Sequence, residues 1–81
     1  MDEQKCVFNV YIVEGDDKEV VASFDDKDDA IGYAEQLHCS AEVVVIPLED
    51  PDDNPDVAEW FEYFSDYEPY EVIWSNIIEE D

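Results

Sequence analysis

Residues 49–71 read EDPDDNPDVAEWFEYFSDYEPYE, with ten carboxylates and six aromatic rings and no Lys, Arg or His. Carboxylates at this density could act as a general acid and base pair, coordinate a metal ion, or gather a cationic surface. The first use needs one particular pair, and among 25 acidic residues in an 81-residue chain any pair picked out is chance. The metal use can be tested against the calcium loop of EF-hands. Counted from Asp50, the third and fifth positions are Asp52 and Asn54, but Pro55 stands where a glycine must turn the loop and Phe61 where a bidentate Glu must close it. Weak, adventitious divalent binding by residues 50–56 is the most that follows, and no cofactor is expected. Attraction of a positively charged macromolecule is the remaining chemistry.

Such a surface needs a fold to hold it. Val57, Trp60, Phe61 and Phe64 fall at the spacing of one apolar helix stripe, which predicts a helix with Asn54 as N-cap, Pro55 in its first turn and an end near Ser65. At about 100° per residue, Glu59, Glu62 and Asp66 share the opposite side, with Asp56 and Tyr63 on the flank. Most charged helix faces are simply solvated, but ordinary ones mix both signs. This one carries acids alone. Its aromatic residues also set it apart from disordered acidic tails, which lack the means to build a core.

The rest of the chain supplies that core. Residues 6–13 alternate Cys6, Phe8, Val10 and Ile12 onto one face; Gly15 marks a turn, and residues 20–24 return as a second strand. A first helix starts at Asp25 or Asp26, with Asp28 and Asp29 in its first turn and Ala30, Ile31, Ala34 and Leu37 as its stripe. Gly32 falls on its outer face, as a point of close approach or as simple tolerance. Residues 42–48 contain VVVI without alternation, as in a strand that is central or covered on both faces. A fourth strand alternates Tyr70, Val72 and Trp74 with Glu71, Ile73 and Ser75, and residues 76–81 form a short tail. The order β-β-α-β-α-β predicts one α+β domain, a mainly antiparallel four-stranded sheet with two helices packed on it.

Composition narrows the function classes. Three lysines against 25 acids leave a net charge of −22. That sign excludes nucleic acid and anionic membranes as direct partners and selects a basic protein surface. One His, no Arg and two Gly leave no phosphate-cradling loop, no Arg clamp and no convincing triad, so the chain reads as a non-enzyme. No apolar run suits a membrane span, which points to the cytoplasm. Cys6 and Cys39 have no metal-ligand spacing, even with His38 beside Cys39, and read as buried thiols in a reducing compartment.

Spacing then suggests what the acids could imitate. Duplex DNA offers a phosphate about every 3.4 Å per strand, and acids three or four residues apart on a helix recur every ~4.5–6 Å. Asp50, Asp52, Asp53, Glu68 and Glu71 extend the line, and Tyr63, Tyr67 or Trp74 could add aromatic anchors. In size, charge and acid–aromatic mixture over its whole length, the chain resembles the phage-encoded DNA-mimic antagonists. These are small acidic α/β proteins that block restriction enzymes, CRISPR effectors, uracil-DNA glycosylase or bacterial nucleoid proteins. The resemblance implies inhibition by filling a nucleic-acid groove in the host cytoplasm, with a basic nuclease, CRISPR effector, glycosylase or nucleoid protein as partner and the inhibitor a monomer or homodimer. The predicted contact set is Asp50, Asp52, Asp53, Asp56, Glu59, Glu62, Tyr63, Asp66, Tyr67, Glu68 and Glu71. The alternative is an acidic adaptor or antitoxin-like module that binds a basic protein without mimicry. A third reading, halophilic acidity, predicts a dispersed coating, whereas here the Lys- and Arg-free run from Asp28 onward also holds most of the aromatics.

Overall fold

A computed structural model describes residues 4–78. Its elements are β1 (Cys6–Glu14), β2 (Asp17–Phe24), α1 (Lys27–Gln36), β3 (Ala41–Pro47), α2 (Pro55–Tyr63) and β4 (Val72–Asn76). One four-stranded sheet has the order β2-β1-β3-β4, with every neighbouring pair antiparallel. The α+β architecture is the one that the sequence periodicities predict.

The β1–β2 hairpin closes on the Glu14–Asp17 pair through Gly15, whose φ of +60° fits the first central position of a type II′ turn. Both helices start as their caps dictate. The Asp26 carboxylate accepts from the Asp28 N–H at 2.9 Å, and the Asn54 carboxamide oxygen accepts from the Asp56 N–H at 3.1 Å. Gly32 has no atom within 4 Å of where a Cβ would stand, so no close approach requires it.

Cross-strand partners point to the same side of a sheet. Val10 stands opposite Val43 and Ala22, and Phe8 opposite Val45 and Phe24. These residues face the helices. Ala30 and Ala34 of α1 and Val57 and Phe61 of α2 join one core with Cys6, Phe8, Val10, Ala41, Val43 and Val45. The opposite sheet face carries Val7, Tyr11, Ile46 and Val44, and Val44, though only 8% exposed, lies outside that core. The unalternating apolar run in β3 therefore marks a strand central in its sheet, with helices on one face. Cys6 lies inside the core, where burial pushes its thiol pKa up, and Cys39 is half-buried; both are free.

Three expectations need correction. The second helix stops at Tyr63 rather than Ser65. Phe64 is its C-cap, the Ser65 N–H reaches back to the Trp60 carbonyl, and the Ser65 hydroxyl bonds both the N–H and the carbonyl of Tyr67, which draws the chain off the helix axis. Phe64 is consequently 61% exposed instead of continuing the stripe. Tyr70 is not a strand residue: its φ of +65° is left-handed, and β4 begins at Val72. That conformation lets the Tyr70 N–H donate to the Val45 carbonyl at 2.7 Å and turns the chain onto the edge of β3. Finally, Asn76 belongs to β4, and the Ile78 N–H is tied to the Ser40 hydroxyl at 2.8 Å, while residues 79–81 of the expected tail lie outside the described residues.

The core assignment yields a contrast between two phenylalanines three positions apart. Phe61→Ala, at the buried end of α2, is expected to cost about 3–5 kcal/mol, and Phe64→Ala less than about 1 kcal/mol. Chemical unfolding of both variants checks this; equal losses would contradict the helix facing.

Candidate partner-binding surface

The acidic surface is built on a well-braced loop. The Asp50 carboxylate accepts from the Asp52 N–H at 2.9 Å, and the Asp50 carbonyl accepts from the N–H groups of Asp53 and Asn54 at 3.1 and 2.8 Å. Asn54, besides capping α2, donates its amide to Glu49. The loop before α2 thus has a backbone of defined shape, from which the exposed Asp52 and Asp53 project.

From that loop the predicted contact residues continue along α2. Asp50, Asp52, Asp53, Asp56, Glu59, Glu62, Asp66, Glu68 and Glu71 are all exposed. Glu62 and Glu68 line an open groove together with Pro51, Ala58, Phe61 and Pro69. A second hydrogen-bonded turn, in which Glu71 accepts from the Glu68 N–H at 3.4 Å and donates to the Glu68 carbonyl at 3.2 Å, sets the far wall.

Two members of the predicted set stand elsewhere. Because α2 ends at Tyr63, Asp66 does not continue the line of Glu59 and Glu62. It lines a different depression, with Gln4, Phe8, Asp25, Asp26, Lys27 and Tyr67. Tyr67 is half-buried, its ring edge-on to Phe8 with centroids 6.2 Å apart. The Lys27 ammonium lies 5.6 Å from the Tyr67 ring centre. The Tyr67 hydroxyl is the main cause that raises the Lys27 pKa, with Asp28 and Asp66 adding to it. Tyr67 therefore braces the fold and is no free anchor. Trp74 likewise packs against the core.

The exposed aromatic residues of this region are instead Tyr63 at 67% and Phe64 and Tyr70 at 61% each. Periodicity hid the latter two, because it placed Phe64 on the buried stripe and Tyr70 in a strand.

Cations are scarce, and two of the three lysines are engaged. Lys18 pairs with Glu42 at 2.6 Å, the one ion pair among the described residues, and Lys27 sits over Tyr67. No Lys, Arg or His lies within residues 49–71, and Asp66 alone among their carboxylates shares a depression with a lysine, Lys27. Among the described residues no group of three or more His, Cys, Asp or Glu side chains is placed to hold a metal ion, and no helix is long and apolar enough to cross a membrane. Neither a family model, nor a curated protein, nor a solved structure matches the chain.

The division between bracing and free aromatic rings can be measured. Tyr67→Ala, which removes the contacts to Phe8 and Lys27, is expected to destabilise by about 1–3 kcal/mol, and Tyr63→Ala by less than about 0.5 kcal/mol. Thermal melts of the pair check the assignment, and a Tyr63 variant less stable than the Tyr67 variant would reverse it.

Proposed function

We propose that the chain is a polyanion mimic, a DNA-mimic inhibitor that fills the positively charged nucleic-acid groove of a host defence or DNA-processing protein, such as a CRISPR effector or restriction enzyme. The observation that carries this reading is the set of exposed carboxylates on the loop, helix α2 and the turn after it, within residues 49–71, which hold no cation. Its braced loop and helix order the backbone that carries the carboxylates, so less ordering entropy is lost on binding than with a flexible acidic tail. Glu59 and Glu62 are spaced along α2 at a fraction of a helical turn, close to the spacing of backbone phosphates. Nothing in this role requires catalysis, and the chain is read as a non-enzyme.

One feature favours the second reading, an acidic adaptor that binds a basic protein without mimicry. The Pro51–Ala58–Phe61–Pro69 groove between Glu62 and Glu68 offers an apolar slot with charged lips, suited to the aliphatic stem and charged head of a Lys or Arg side chain. A slot of this kind selects a side chain and is no part of a phosphate backbone.

Charge reversal in two variants of equal net charge tests the role of the surface. The triple variant Glu59→Lys, Glu62→Lys and Glu68→Lys is compared with Glu14→Lys, Asp16→Lys and Asp17→Lys at the hairpin. Binding is measured against purified CRISPR effectors, restriction enzymes, uracil-DNA glycosylase and nucleoid proteins. For whichever of these binds, the first triple should weaken affinity at least about a hundredfold and the second only about threefold. Equal losses would mean that bulk charge, and not a shaped surface, drives binding.

A further inference from the structure

The sheet face turned away from both helices carries no net charge, unlike the rest of the molecule. Strand register places Val7, Tyr11, Val44, Ile46, Val20 and Val72 there, with Asn9, Val13, Ser23 and Ser75 among them. The only charged residues that register assigns to it are Lys18 and Glu42, and these two neutralise each other across β1. A chain of net charge −22 thus presents one apolar face whose own charges sum to zero. Val20 and Val72, on the two edge strands, are 49% and 46% exposed. No described helix covers any of this surface.

We propose that this open sheet face is where two copies of the chain pair, sheet against sheet. Charge decides between occupants. A basic partner is drawn to the carboxylate surfaces and gains nothing electrostatic from a neutral face. A second copy is repelled everywhere except through a face that carries no net charge. In a face-to-face pair the sheets pack about 10 Å apart, with both α2 helices on the outer sides. The carboxylates of one α2 are then separated from those of the other by two sheets and two helix layers, several times the ~8 Å Debye length at physiological salt.

Area sets the strength. Four strands about 4.8 Å apart and about seven residues long make a face of roughly 19 by 24 Å. Two such faces bury on the order of 1,000 Å², the lower limit for a specific interface. An interface of this size makes the pair a reversible dimer with two-fold symmetry. Glu14, Asp16 and Asp17 on the rim repel across it, so the dimer tightens as salt rises. Pairing leaves residues 49–71 of both copies free, and the inference does not depend on what those residues bind.

Sedimentation velocity of the full chain across a concentration series, at low and high salt and without any target, tests the proposal. The expected result is a monomer–dimer equilibrium that shifts toward dimer with added salt. Val20→Glu with Val72→Glu should weaken it by at least about tenfold, and Glu59→Lys with Glu62→Lys should leave it in place. Because the valine variant could fold poorly, the unmodified chain gives an independent readout. On dilution, amide resonances of Val7, Tyr11, Ile46 and Val72 should move while those of α2 stay still. A chain that stays monomeric throughout, a dimer whose dilution shifts map to α2, or a valine variant that pairs as well as the parent would overturn the proposal. So would a monomeric chain whose binding to polylysine is lost in the valine variant, since the face would then belong to a basic partner.

Discussion

Like-charge repulsion is the constraint on which the rest of this structure depends. With three lysines and 25 acids, charge cannot be balanced by pairing, so it must be spread outward while a small core opposes it. The core is correspondingly dense in β-branched and aromatic residues. Val10, Val43, Val45 and Ala41 fill the centre of the sheet, and Ala30 and Ala34 let α1 come close to it. The acidic stretch is anchored to that core by Val57 and Phe61, with Trp60 and Tyr67 packed against it, and its backbone is braced by hydrogen bonds from Asp50, Asn54 and Ser65. Small polar residues thus do locally what ion pairs cannot do here.

The same constraint divides the surface. On the helix side, exposed carboxylates far outnumber the one lysine there, Lys27. On the open side of the sheet, β-branched side chains surround a single neutralised pair. A basic partner and a second copy of the chain would seek opposite faces, so the two proposed interactions do not compete. In the proposed dimer, two acidic surfaces face outward on one particle, which raises avidity for an extended basic groove provided that its geometry spans both.

Much of the fold was legible because its signals were local. The alternation in β1, the Gly15 turn, the Asp26 and Asn54 caps and the Pro55 helix start each depend on a few neighbouring residues, and the structure has all of them. The element order and the antiparallel sheet followed. What periodicity could not see was where the second helix would stop. Phe64 sits at the right spacing to continue the stripe, but Ser65 offers the backbone a competing set of hydrogen bonds, and the helix yields at Tyr63. That one displacement moved Asp66 off the acidic line toward Lys27. The left-handed Tyr70 and the bulge at Ile73 were equally invisible, since both answer to the pairing of β4 with β3, a tertiary fact. The groove between Glu62 and Glu68 needed the fold, because Pro51 and Pro69 meet only in space.

The central functional claim is mutual exclusion between this chain and nucleic acid on a basic target. The most direct measurement loads a purified target that binds the chain and titrates in that target's own DNA or RNA, following both ligands at once with separate fluorescent labels. The account predicts strict displacement, each ligand leaving in proportion as the other arrives, with the chain's affinity falling as salt rises. A ternary complex with chain and nucleic acid both at full occupancy would contradict mimicry and leave the adaptor reading in its place.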